Sequence, residues 1–298
     1  MGQPANDGKK EEFMNKGHVK EKVMEIVFML CACVSIISVA LICIFLFANG
    51  IPAMQKIGLF NFAFGKTWKP GNDMYGIFPM IIGSIYITAG AVIIGVPIGI
   101  LTAVYLAKFC PKNLYKIIKP AVELLAGIPS VVYGFFGLCV IVPFVRNYIG
   151  GDGNSILTAS ILLGFMILPT IINVSESSIR AVPEKYYQGA LALGATHERS
   201  VYLTVVPAAK SGIMAGVVLG IGRAIGETMA VIMVAGNQPR MPKGILKGIR
   251  TMTANIVIEM GYATDLHREA LIATGVVLFV FILIINTLFS ILKNRDKQ

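Results

Sequence analysis

The sequence predicts an all-α membrane protein with six transmembrane helices, and three observations carry that prediction. Hydrophobic residues make up 55% of the 298 residues and charged residues only 14%, against about a quarter charged in a soluble domain. Mean hydropathy is +0.73. Six stretches reach, or nearly reach, the ~20 apolar residues that a helix needs to cross a bilayer core. These stretches do not alternate apolar with polar residues, which disfavours a transmembrane β-barrel.

Residues 1–22 are polar and charge-rich and read as a disordered cytoplasmic tail. The apolar run behind them is too long for the core of a signal peptide and lacks a clear small-x-small cleavage site, so it reads as an uncleaved first span. That run, Ile26 to Ala48, ends at the stop signal Asn49-Gly50. The first span is therefore placed at 23–49 and an external loop at 50–74. Tyr75 to Ala107 is also uncharged and is longer than one upright span needs, so part of it lies at the surface or the helix tilts. Pro97, between Gly95 and Gly99, is expected to bend it.

Leu124 to Val145 and Gly153 to Ser175 make the third and fourth runs, separated by the turn-rich Gly150-Gly151-Asp152-Gly153. Pro129 should interrupt the third, as a packing kink or a gate. Glu123, beside Lys119 at the inner edge, reaches for the interface. The fifth run, Ala208 to Gly236, carries Arg223 and Glu227, and Ala270 to Leu292 closes the set. A transmembrane domain is placed at 75–292 and a cytoplasmic tail at 293–298.

Charge placement sets the orientation. With the N-terminus inside, 16 of the 26 Lys and Arg fall on inner segments, which puts both termini in the cytoplasm. The net charge of +10 is then topological and implies no nucleic acid. Enzymatic classes find little support. Six residues separate Gly58 from Gly65-Lys66-Thr67, where a phosphate-binding loop requires four. His18, His197 and His267 are scattered, so neither a zinc site nor a histidine-based catalytic cluster is suggested. No Gly-x-Ser-x-Gly occurs. The five cysteines lie in or beside apolar stretches and read as small apolar residues.

The polar segment Glu176 to Pro207 is the most organised. Pro183 and Glu184 suit a helix start, Tyr186 to Leu193 suit its body, and Gly194 suits its end. Thr196 can cap a second short helix with Glu198 in its first turn, and Pro207 closes the segment. By physics alone this is an amphipathic connector or a helix-turn-helix on the cytoplasmic surface. Its spacing adds more. Gln188-Gly189-Ala190, three residues, Gly194, nine residues, then Thr204-x-Val206-Pro207 resembles the cytoplasmic loop of type I ABC importer permeases, Glu-Ala-Ala, x3, Gly, x9, Ile-x-Leu-Pro. Gln188, Gly189, Thr204 and Val206 differ from the commonest residues of that pattern. The resemblance implies the type I importer permease fold, with this segment as a coupling helix between spans four and five that docks on a separate ATPase subunit.

Arg223 and Glu227 are expensive where they stand. Insertion scales put a central Arg or Asp at about 2.5 to 3.5 kcal/mol, whereas a helical i,i+4 pair returns about 0.2 to 0.5 kcal/mol and prefers acid before base. Further partners are required. The stripe Gly212, Gly216, Gly220, Arg223, Glu227 should face protein or a cavity. Two readings stand: a static interhelical salt bridge, or a charge lining the path of an anion gripped by Arg.

The stretches Gly220-Ile-Gly-Arg-Ala-Ile-Gly-Glu-Thr-Met-Ala-Val231 and Glu123-Leu-Leu-Ala-Gly-Ile-Pro-Ser-Val-Val-Tyr-Gly134 resemble the PstC-type permeases of phosphate-specific ABC transporters. This resemblance implies a phosphate import subunit in a prokaryotic cell membrane, with Arg223 and Glu227 in the substrate pathway and Gln188, Gly189, Ala190, Gly194 and Pro207 in ATPase coupling. It implies a sister permease (PstA type), an ATPase dimer (PstB type) and an external phosphate-binding protein (PstS type). The chain itself would bind no cofactor or metal, ATP being used by the partner. The basic outer residues Arg240, Lys243, Lys247 and Arg250 read as a solvated segment, or as a contact for the binding protein or a means of raising local anion concentration. A permease for sulfate or molybdate, and a self-sufficient secondary anion transporter or channel, are the alternatives.

Overall fold

The structure, a computed structural model, describes the backbone of residues 7–295 and the side chains of residues 21–288 and 291. The chain separates into two compact units, residues 1–49 and 50–298. Helix α1 runs Asp7–Ile57. Residues 7–22, expected to be disordered, are therefore helical: Lys, Glu and Met favour helix, and here they extend a helix that the apolar run behind them sustains. Nor does α1 stop at Asn49-Gly50; it continues through Pro52. A Cβ at Gly50 would lie 2.6 Å from Val276 of the last helix, so this glycine serves close packing. Residues 1–6 and 296–298, the extremities of the two expected tails, lie outside the described residues.

The segment before the second span holds a short helix α2 (Leu59–Phe64) and a hairpin of β1 (Trp68–Lys69) with β2 (Met74–Tyr75), Trp68 pairing with Tyr75. Tyr75 thus leaves the second apolar run for the hairpin. Helix α3 (Phe78–Val104) follows with Pro97 inside it, and a π-helical turn over Tyr105–Phe109 finishes the span.

The third span differs most from expectation. Helix α4 (Lys112–Gly127) ends before it, because Pro129 drives Ile128 into extended backbone, ψ 128°. The span is then built from α5 (Ser130–Phe136), a π-helical turn (Gly137–Ile141) and α6 (Val142–Tyr148). Leu124 to Gly127 belong to α4, and Pro129 starts a helix instead of kinking one.

Helix α7 (Ile156–Arg180) is capped by Ser155, whose Oγ accepts the Thr158 N–H at 3.3 Å. Its first free N–H groups, those of Ile156 and Leu157, donate to the carbonyls of Lys247 and Ile245 in a segment that folds back over it. The polar segment that follows comprises α8 (Glu184–Ala192), α9 (His197–Ser200), a π-helical turn (Val201–Val205) and α10 (Val206–Ala208). Pro207, expected to close this segment, sits instead in the first turn of α10, where no N–H is needed. Helix α11 (Lys210–Gly226) then departs at 69° to the preceding helical stretch. The fifth run breaks again after Gly226 and resumes as α12 (Met229–Val234). Helix α13 (Met252–Met260) lies within the loop between the fifth and sixth runs, and α14 (Asp265–Arg295) extends beyond the sixth apolar run at both ends.

Among the described residues, five helices are long and apolar enough to cross a membrane, or six with the bent pair counted as one span. Their seams are set by glycine. Cβ atoms at Gly95 and Gly99 of α3 would come within 2.7 and 2.8 Å of Ile167 and Ile171, and at Gly220 of α11 within 2.9 Å of Ile171. Helix α7 is therefore gripped from both sides, and 67% of its apolar window is buried. One apolar cluster joins α3, α5, α6, α7 and α12 through Ile87, Tyr133, Val145, Leu162, Ile167 and Val234.

Candidate functional site

The segment between the fourth and fifth spans takes the form its local signals dictate. Helix α8 ends at Ala192, and Gly194 adopts φ +86°, a left-handed conformation that glycine reaches without strain. The Thr196 hydroxyl accepts the Arg199 N–H at 3.4 Å and opens α9. Gln188, Gly189, Gly194 and Pro207 are exposed, Ala190 is half-buried, and Leu193 is 91% exposed. Tyr187 closes the helix pair through a 2.7 Å bond between its hydroxyl and His197 Nδ1, and His197 packs edge-on against Phe109. His197 is thus a structural residue. The whole segment presents an apolar, protruding turn to its surroundings.

The intramembrane charges sit differently from a helical i,i+4 pair. The helix stops at Glu227, whose backbone is extended (ψ 131°), so Arg223 lies in the last turn of α11 and Glu227 stands just before α12. Glu227 Oε1 accepts the Ala230 N–H at 3.2 Å, and its carbonyl accepts the Thr253 hydroxyl at 3.2 Å. Arg223 donates to Thr170 Oγ1 of α7 at 3.2 Å. Among the described residues this is the one hydrogen bond of Arg223, and neither charge forms an ion pair. The order base-before-acid, unfavourable within one helix, is favourable across a break: the cation meets the negative end of α11 and the carboxylate meets the positive end of α12. The glycine stripe packs as expected, with Gly212, Gly216 and Gly220 facing Ser178, Val174 and Ile171 of α7.

Two carboxylate networks escaped the sequence reading. Glu176, taken as the start of the inner loop, lies in α7 and is 1% exposed. It accepts hydrogen bonds from the Tyr115 hydroxyl at 2.8 Å and from Lys119 Nζ at 2.9 Å, and pairs with Arg180 Nε at 2.8 Å. Burial and the bond to Glu176 hold the Tyr115 phenol above its ordinary pKa. The acid-before-base spacing of Glu176 and Arg180 was the available signal. At the opposite end of the spans, Glu259 accepts from Trp68 Nε1 at 2.8 Å, lies 2.8 Å from His267 Nε2 and pairs with Arg250. Arg250 also donates to Asn255 Oδ1 at 2.9 Å and to the Asn237 carbonyl at 3.1 Å. It therefore leaves the solvated basic segment, in which Arg240, Lys243 and Lys247 remain exposed. Among the described residues no group of three His, Cys, Asp or Glu is placed to hold a metal ion.

The helical architecture itself is shared with known proteins. The family described as "Binding-protein-dependent transport system inner membrane component" matches residues 95–297. A probable ABC transporter permease, YqgH of Bacillus subtilis, is 38% identical, covering 87% of this chain and 88% of its own. A phosphate transport system permease protein PstC of Mesorhizobium japonicum is 35% identical, covering 82% of this chain and 81% of its own. Among solved structures, an inward-facing MetNI methionine ABC transporter superposes with a TM-score of 0.62 at 18% identity, covering 78% of this chain and 100% of that one. The fold is that of type I ABC importer permeases. The chain belongs to the inner membrane components of binding-protein-dependent transport systems and is a multi-pass transport subunit.

Proposed function

We propose that this chain is the PstC-type permease subunit of an ATP-driven importer of inorganic phosphate, and that phosphate passes beside Arg223. The observation that supports this most is an intramembrane guanidinium with one hydrogen bond, to Thr170, in a chain 35% identical to a phosphate transport permease. A guanidinium carries five N–H donors in a rigid fork that matches two oxygens of a tetrahedral oxyanion. Glu227, four residues on at the same break, weakens retention of an anion there, as passage requires. In this reading the exposed turn around Gln188, Gly189, Ala190 and Gly194, together with Pro207, couples the permease to an ATPase dimer (PstB type). A sister permease (PstA type) completes the pathway and an external binding protein (PstS type) delivers phosphate. ATP is used by the partner, this chain binds no cofactor, and both termini lie in the cytoplasm. Closure of the ATPase dimer moves α8 and rocks the spans between outward- and inward-open states.

The assembled complex with its binding protein tests the substrate: phosphate is expected to stimulate ATP hydrolysis, with sulfate and molybdate inert. Stimulation by another oxyanion instead would redirect the assignment, a reading left open by the relative known only as a probable ABC permease. Arg223→Gln is expected to lower phosphate uptake 100-fold or more in proteoliposomes while the complex still assembles. Normal uptake in that variant would remove Arg223 from the pathway.

A further inference from the structure

Helix α7 ends at Arg180, three residues before Pro183 opens α8, and the cluster around Glu176 sits at that junction. Its members come from three elements. Tyr115 and Lys119 belong to α4, and Lys119 donates also to Asn173 Oδ1 at 2.8 Å. Arg180 donates to the carbonyl of Leu106 at 2.7 Å, in the π-helical turn that finishes α3, and its guanidinium lies 4.6 Å from the Tyr115 ring centre. A carboxylate 1% exposed is tolerable only with its partners in place. Drawing Glu176 away with the end of α7 must carry α4 along or strip the buried carboxylate of Lys119 and Tyr115.

Helix α4 in turn connects to the intramembrane charges. The Leu125 carbonyl of α4 accepts the Tyr133 hydroxyl of α5 at 2.8 Å. The next residue, Gly134, packs so closely on α12 that a Cβ there would lie 3.0 Å from Ala230 Cα. Ala230 is the residue whose N–H Glu227 accepts. A continuous set of contacts therefore runs from the root of α8, through Glu176, α4 and α5, to Glu227.

We propose that Glu176 is a positioning residue that makes α4 follow the movement of α8, relaying it to the α5–α12 contact beside Glu227. The proposal rests on the reading of α8 as the segment that meets an ATPase. A helical brace that merely stabilises the fold would have the same contacts but would not transmit a change, and amide hydrogen exchange separates the two roles.

The experiment compares the full complex, with sister permease and ATPase dimer, free of nucleotide and trapped with ATP and vanadate. In the unmodified complex, trapping is expected to change exchange at least threefold in residues 184–192 and in residues 112–127. In Glu176→Gln the change at 184–192 persists, and the change at 112–127 falls to less than a third of its original size. If Glu176→Gln raises exchange of 112–127 equally in both states and leaves the difference between them intact, Glu176 is a brace and the proposal is overturned. If trapping leaves 184–192 unchanged in the unmodified complex, the coupling reading of α8 fails, and the relay with it. Should Glu176→Gln not assemble, Lys119→Gln and Tyr115→Phe each remove one contact to the same carboxylate. An intact trapping difference in both of these overturns the relay.

Discussion

Two segments of similar apolar length show how differently a helix can be used in this membrane. Helix α7 runs unbroken over 25 residues, gripped through the glycines of α3 and α11, and keeps its acidic residue at its C-terminal end among cations. The fifth run is bent at Ala209 and broken at Glu227, and it places both of its charges at the break. The difference is physical. An unbroken helix offers a central charge only side-chain partners, whereas a break adds helix ends of both signs and free backbone groups. The broken run is thus the one that can keep Arg223 inside the spans with most of its donors unused.

The largest effect should come from attacking the continuous helix. Gly95→Leu drives a side chain into Ile167 and the Gly164 carbonyl, which a Cβ alone would approach at 2.9 Å. A cost of about 3 kcal/mol or more follows, because backbone cannot yield as a side chain can; folded protein recovered in detergent is expected to fall at least tenfold. Gly226→Leu at the break, where nothing lies within 4 Å of a Cβ, should leave recovery unchanged. Equal losses in both variants would erase the contrast between seam and break.

A smaller effect should separate capping from charge at Glu227. Glu227→Gln retains an oxygen for the Ala230 N–H and should stay within about 0.5 kcal/mol of the original stability, whereas Glu227→Ala should lose about 1 kcal/mol. Thermal unfolding of the purified complex reads both. An equal loss would show that charge, and not the hydrogen bond, stabilises the break. Smallest is Ser155→Ala, which removes the N-cap of α7 and should lower stability by about 1 kcal/mol or less without altering transport per complex, because α7 is held mainly by packing. A change in uptake per complex would mean that the α7 start moves during transport.

Much of the site was legible in the sequence. Gly194 and Thr196 act through bonds to residues three or four positions away, so the turn and cap were readable without tertiary information. The glycine stripe of α11 was likewise readable as a close-packing face. The break at Glu227 was not, because neither proline nor left-handed glycine marks it; Gly226 is followed by the extended Glu227, whose carbonyl accepts the Thr253 hydroxyl and whose carboxylate accepts the Ala230 N–H. Glu176 was read as loop because the uncharged run ends at Ser175, and a carboxylate normally marks the water boundary.

The sequence by itself determined the number and order of the apolar runs, the capped helix-turn-helix between the fourth and fifth, and the presence of two charges within an apolar run. These depend on hydrophobic length and on signals a few residues apart. Tertiary structure alone decided which charges are satisfied and by what. Glu176 meets Lys119 across 57 residues and Glu259 meets Trp68 across 191, so the partners that make burial tolerable come from other helices. The same holds for Arg223, whose one hydrogen bond reaches Thr170 in α7, 53 residues away. A charge announces its cost in the sequence, but only packing reveals what offsets that cost.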